Sequence, residues 1–297
     1  MVVAASVRMM ARSLVIAAVA LAVSCGSDAS VPFITVGAGD SVESAVLAEI
    51  YAGALARTGA RTAVESGLGG RSDYLAALDG DRVQLVGEHS GALLAYLDEH
   101  AAARLPQKVE AALSAALPEG LVVSDIADGA DLRPRVLLTE QAAMRDNVRS
   151  VGDLTPHCGV LTVGVVSVPG VLPLPAGLDQ VTGCAFATTV AFPDSVALRK
   201  ALLDGEIQAG RLTGPPELTP GVTDGLVVLT DDEYAVRAEN VLPLFRKGLL
   251  DQQRIKKLNY VAGELRTEDL AVMIRRVRDE GAAPSEVARA WLDAHAL

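Results

Sequence analysis

Aromatic side chains make up 3% of this 297-residue chain, histidine occurs four times and cysteine three times. His89, His100, His157 and His295 show no His-Glu-x-x-His or similar spacing, and no second ligand pair accompanies His157-Cys158. A motif-bearing zinc site is therefore excluded, and no metal is expected. No Lys-Ser or Lys-Thr follows a glycine loop, so a P-loop is missing; no Gly-x-Ser-x-Gly elbow exists either. Val36-Gly37-Ala38-Gly39-Asp40-Ser41-Val42 has the look of a dinucleotide turn, yet Val42 stands where its third glycine belongs. Neither a cofactor nor catalysis is expected, since no nucleophile can be named with a base in reach. Basic clusters are absent and the formal net charge is −11, which argues against nucleic acid and anionic lipid as partners. Asp231-Asp232-Glu233 reads as a solvated turn rather than a cation site.

Long apolar runs are also missing, apart from a short one near the start. Arg8 and Arg12 precede the apolar residues 14–23, a run too short to span a bilayer but suited to a secretory leader. Residues 1–24 are read as a signal peptide of lipoprotein type. Cys25 becomes a lipidated N-terminus, and residues 25–32 form a linker. Leu21 lies one place early for a lipobox, with Ala22 at the usual leucine position. An uncleaved anchor is the alternative, and it too would put the chain outside the cytoplasm. The protein is thus expected to be exported and held on the outer face of a bacterial membrane. Losing two arginines and no acid with the leader takes the charge from −11 to −13. The two remaining cysteines, Cys158 and Cys184, argue for one disulfide in that compartment, with two buried thiols as the alternative.

What is present is an alternation of strands and helices. Strands are expected at residues 33–37, 61–65, 82–86 and 121–123, with helices from Asp40-Ser41-Val42-Glu43, at 73–78 and from Ala92. A second unit has strands at 136–139, 160–166, 207–210 and 226–229, and helices at 140–145 and 194–203. Helices opening at Thr267 and Pro284 close the chain. Leu78-Asp79-Gly80-Asp81-Arg82-Val83-Gln84 is echoed by Leu203-Asp204-Gly205-Glu206-Ile207-Gln208. The loops that follow are Gly87-Glu88-His89-Ser90-Gly91 and Gly210-Arg211-Leu212-Thr213-Gly214, and equivalent loops on two lobes would face each other across a cleft. Chance recurrence of Asp-Gly-acid turns is the competing explanation.

From Ile34 onward the order of segments resembles the substrate-binding proteins of ABC importers for osmoprotectants, namely glycine betaine, choline and carnitine. The resemblance is carried by Ile34-Thr35-Val36-Gly37 with Glu43, by Gly69-Gly70-Arg71 through Tyr74 to Leu78, and by Glu88-His89-Ser90-Gly91-Ala92. Leu226 to Asp232, Val241-Leu242-Pro243-Leu244-Phe245-Arg246, Leu265-Arg266-Thr267 and Glu286-Val287-Ala288 continue it. It implies an α/β, two-lobed periplasmic-binding-protein-like fold of type II, each lobe a mixed sheet flanked by helices, with the ligand cleft between them. Residues 33–136 and 240–297 would form lobe I and residues 137–239 lobe II. The implied partners are a permease with its ATPase and a small polar or quaternary-ammonium solute.

Such proteins cage quaternary ammonium with ring faces, which attract a cation that donates no hydrogen bonds. Here His89 stands at the tyrosine of the family's Glu-Tyr-Thr-Gly, Glu239 ahead of the Pro-Val-Val-Arg strand, Ser41 near the first helix start, and Arg133-Pro134-Arg135 before the crossover. The expected ligand-binding set is Asp40, Ser41, Glu88, His89, Ser90, Arg135, Thr213 and Glu239. A more polar solute follows, with Arg135 facing a carboxylate and Glu239 an ammonium. Two alternatives stay open. These residues lie on a rim above a degenerate pocket, or the chain is an exported interaction lipoprotein that has lost its ligand.

Overall fold

The computed structural model describes residues 33–297. The expected leader, the linker and Cys25 lie outside the described residues. Strands run in the order β1 (Phe33–Gly37), β2 (Arg61–Glu65), β3 (Leu85–His89), β4 (Leu121–Val123), β5 (Ala127–Asp131), β6 (Arg135–Thr139), β7 (Thr162–Val166), β8 (Thr188–Ala191), β9 (Ala209–Leu212), β10 (Leu226–Val228) and β11 (Asn240–Arg246). Helices are α1 (Val42–Ala56), α2 (Arg71–Asp79), α3 (Ser90–Leu97), α4 (Pro106–Ala116), α5 (Glu140–Asp146), α6 (Val151–Leu154), α7 (Ser195–Leu203), α8 (Gln252–Glu264), α9 (Thr267–Glu280) and α10 (Pro284–Ala294). No described helix is long and apolar enough to cross a membrane.

Two mixed sheets result. The first has the order β2-β1-β3-β11-β4, with β5 also paired to β11; the second has the order β10-β6-β9-β7-β8. In each sheet three strands are mutually parallel, and a fourth, delivered by a crossover between the sheets, lies antiparallel beside the third. That fourth strand is β11 in the first sheet and β6 in the second, so two crossings join the sheets. Arg135 and Val136 pair with Leu212 and Arg211, which places the second sheet's first residue at Arg135. Helix α1 is buried on nearly every side, because the first sheet covers one face and α8, α9 and α10 cover the rest. Its apolar and small residues surround the axis accordingly.

The sequence echo marks equivalent places in the two sheets. Gln84 precedes β3 and Gln208 precedes β9, the third strands of their sheets. The Gln84 N–H donates to the Thr35 carbonyl (2.8 Å), and its Oε1 accepts from the Thr35 N–H (2.8 Å). Gln208 treats Thr162 identically, at 3.0 Å for both bonds. Each glutamine thus staples the entry of the third strand to the first.

This explains a shared displacement. The strands expected at residues 82–86 and 207–210 are observed at Leu85–His89 and Ala209–Leu212, because the residues before each glutamine are committed to the turn. Glu88 and His89 are consequently strand residues, not loop residues, and α3 begins at Ser90. The α1 cap also differs from the Asp40/Glu43 box: Ser41 is the N-cap, accepting from the Ser44 N–H at 3.1 Å, and the Glu43 carboxylate turns inward. Strands β5 (Ala-Asp-Gly-Ala-Asp) and β8, an exposed edge, had no alternating apolar pattern to announce them.

Cys158 and Cys184 are joined, with Cα atoms 5.3 Å apart across a separation of 26 residues. A loop of that length is worth about 3 kcal/mol of unfolded-state entropy. Replacing both cysteines by serine should lower unfolding stability by about that amount in urea melts. Thiol titration of denatured, unreduced residues 31–297 should find no free thiol.

Candidate ligand site at the junction of the two sheets

Three chain segments meet where β3 ends. Glu88 and His89 come from β3, Glu43 from the first turn of α1, and Glu239 immediately precedes β11, which pairs Val241 with His89. Glu43, Glu88 and Glu239 have no exposed surface and His89 is 1% exposed. Burying so much charge demands partners. Glu88 is fully provided for: Arg71 grips it with two nitrogens (2.9 and 3.2 Å), the Tyr74 hydroxyl donates to it (2.5 Å), and so does the His89 N–H (2.9 Å). His89 Nε2 lies 2.5 Å from Glu43 Oε1. Glu239 Oε2 accepts from the Ala92 N–H at 2.9 Å and stands 4.0 Å from His89 Nδ1. Two buried atoms, His89 Nδ1 and Glu239 Oε1, have no hydrogen-bond partner.

Electrostatics follow from that packing. Burial alone pushes the His89 imidazole down, but the carboxylates of Glu43, Glu239 and Glu88 outweigh it and hold His89 above its ordinary 6.5. Burial pushes Glu239 up to about 7, against the opposing pull of His89, the Ala92 N–H and Arg71. Gly91 makes room for that carboxyl: an added Cβ would lie 2.5 Å from Glu239 Oε1 and collide with the Ala238 carbonyl.

The second sheet supplies a lid to this cluster. The loop after β7 is rooted by Thr213, whose Oγ1 accepts from the Val168 N–H at 2.9 Å. It then reaches the first sheet's helices. The Glu43 N–H donates to the Gly170 carbonyl (2.8 Å), the Leu172 N–H donates to Glu43 Oε2 (2.8 Å), and Arg71 Nη1 donates to the Pro173 carbonyl (2.9 Å). Leu172 is buried in a cluster with Leu68, Tyr74, Leu75 and Leu93.

Of the residues expected from sequence, Glu88, His89 and Glu239 are brought together, and Ser90 lies beside them, its Oγ accepting from the Asn240 N–H at 3.1 Å. Asp40 is exposed, accepting from the Gly69 N–H at 3.2 Å, and Ser41 is engaged as a helix cap. Thr213 holds the loop root rather than the cluster. Arg135 directs its guanidinium to the carbonyls of Arg133 (2.6 Å) and Asp131 (3.2 Å), at the crossing between the sheets. Tyr234 has its ring face covered by Arg133, 4.0 Å from the centroid. Glu43, Arg71, Tyr74 and Leu172 were not in the expected set. The first three lie within the stretches that carry the family resemblance; Leu172 sits in a Pro/Gly-rich loop with no pattern to single it out.

Comparison with known proteins fits this architecture. A family model described as the substrate binding domain of an ABC-type glycine betaine transport system, OpuAC, matches residues 32–294. The chain belongs to this family. No curated protein matches it by sequence. Among solved structures, one described as a glycine betaine/carnitine/choline ABC transporter superposes with a TM-score of 0.67 at 18% identity, covering 89% of this chain and 98% of that one. Apo YehZ from Escherichia coli gives 0.62 at 19% identity, covering 88% and 98%. A choline binding protein in complex with choline gives 0.52 at 13% identity, covering 90% of each chain. At these identities the likeness is one of fold: the two-lobed, type II arrangement of the family. In this chain the cluster around His89 and Glu239 lies where the loop after β7 meets the first sheet's helices.

The cluster gives stability a signed pH dependence. Glu239, raised from 4.5 to about 7, adds stability that is complete below about pH 4.5 and lost as pH rises through 7. His89, raised above 6.5, adds stability that is likewise lost on the alkaline side. Urea unfolding should therefore show a fall between pH 5 and pH 8. Glu239→Gln should remove about 2–4 kcal/mol of that fall and leave the variant the more stable protein at pH 8. Parallel pH curves for the two proteins would refute the assignment.

Proposed function

We propose that this chain is the extracytoplasmic solute-binding component of an ABC importer, working with a permease and its ATPase. Residues 1–24 are removed on export, and a lipid on Cys25 ties the protein to the outer face of the membrane. Lobe I takes residues 33–134 with 240–297 and lobe II residues 135–239; the pairing of Arg135 and Val136 with β9 supports a boundary two residues ahead of the expected one. It is not an enzyme.

Its ligand differs from the quaternary ammonium compounds of the family. One observation carries this reading: two positions where the family resemblance calls for ring faces hold His89 and Glu239, both buried and locked to Glu43, Ala92 and each other's field. A quaternary ammonium donates no hydrogen bond, so it leaves Glu239 Oε1 without a partner, and a cationic His89 repels it. Each lost ring contact removes about 0.5–2 kcal/mol. A solute accepted here carries hydrogen-bonding groups of its own, such as a zwitterion with N–H donors. The second reading, an interaction lipoprotein that keeps the fold without a ligand, is favoured by one observation: Leu172 already fills space against the first lobe.

Calorimetry with choline, glycine betaine and carnitine should give no binding heat, and tight binding of any of the three overturns the altered-ligand reading. A thermal-shift panel of polar zwitterions and anions then separates the two readings. A solute with dissociation constant Kd raises stability by RT ln(1 + [L]/Kd), about 2.7 kcal/mol at a hundredfold excess. No shift from any solute favours the interaction protein.

A further inference from the structure

Residues 170–173 are held by lobe I as a bound peptide is held. Their main chain is read in both directions: the Gly170 and Pro173 carbonyls accept from the Glu43 N–H and from Arg71, and the Leu172 N–H donates to the Glu43 carboxylate. The one large side chain between them, Leu172, is 3% exposed in the patch around Tyr74. Hydrogen bonds to the main chain combined with a pocket for one side chain is the general mode of peptide recognition. Both flanks are fixed as well. Gly170 has φ +89°, and a Cβ there would lie 3.3 Å from Ile274 Cγ2. The Pro169 carbonyl accepts from Arg278 Nη1 at 3.0 Å. Prolines at 169 and 173 limit the conformations the segment loses on docking.

We infer that Glu43, Arg71 and the apolar patch around Tyr74 form a site for a peptide segment that enters through a turn and is centred on leucine, and that residues 170–173 occupy it in cis, closing the lobes without a free solute. The inference rests on the family reading only for where a solute would lie. A tethered occupant acts at an effective concentration of about millimolar, so a free ligand must displace it before it can bind. Leu172 thereby becomes the residue that decides admission to the cleft.

Small-angle scattering of the solute-free unit, residues 31–297, tests closure. The wild type should scatter as the compact, closed molecule, and Leu172→Glu should increase the radius of gyration while the circular-dichroism spectrum stays unchanged. An open solute-free wild type, or no expansion in Leu172→Glu, overturns the inference. N-acetyl-L-leucinamide, which carries the N–H, isobutyl group and carbonyl of Leu172, tests the ligand class. At millimolar concentration it should raise the melting temperature of Leu172→Ala and leave the wild type unmoved. Equal responses in the two proteins, or no response in the variant, overturn the assignment of the site. Binding of choline to the wild type would instead defeat the altered-ligand reading and leave the closure measurement to stand by itself.

Discussion

The contact between Glu43 and His89 is the constraint around which the junction is arranged. Both groups are out of water, and an unpaired ion there would cost several kcal/mol, so neither tolerates loss of the other. The pair ties the first turn of α1 to the end of β3. Because Glu43 also accepts from the Leu172 N–H, it joins lobe I to the loop of lobe II. Removing His89 would take the side-chain partner from Glu43 and a neighbouring cation from Glu239, while Arg71 is already committed to Glu88. That explains why a position the family resemblance assigns to a ring is held by a residue able to carry positive charge.

The architecture makes this spot special before any side chain is considered. Each sheet has three parallel strands and a fourth contributed through a crossing, and the third strand lies beside the fourth. Residues at the end of the third strand therefore stand next to the connections between the lobes. In the first sheet these are Glu88, His89 and Ser90, facing Glu239 and Asn240; in the second they are Arg211, Leu212 and Thr213. Arg211 pairs with Asp179 at 2.6 Å, and Thr213 roots the loop that ends at Leu172. The two lobes use equivalent places differently: one holds charge in a fixed cluster, and the other projects the segment that covers it.

Much of this was legible in the sequence where a local cause dominates. Strand and helix alternation and the Cys158–Cys184 pair depend on neighbours in sequence or on the small number of cysteines. The repeated Asp-Gly-acid turn was visible too, but the staple made by Gln84 and Gln208 was not. Its effect on strand register needs Thr35 and Thr162, 49 and 46 residues away. At the site, His89 and Glu239 stood out as departures from a family pattern. Glu43 did not, because an acid in the first turn of a helix is ordinary. Leu172 could not be found at all: its partners are on another lobe, and nothing in Val-Pro-Gly-Val-Leu-Pro indicates which residue will be buried.

The junction depends most on His89 being a buried cation paired with Glu43. Nitrogen-15 NMR of the imidazole tests this directly, since only four histidines need assignment. His89 should remain doubly protonated above pH 6.5, with slowly exchanging ring protons. An imidazole that titrates at or below 6.5, with ring protons in free exchange with water, would contradict it.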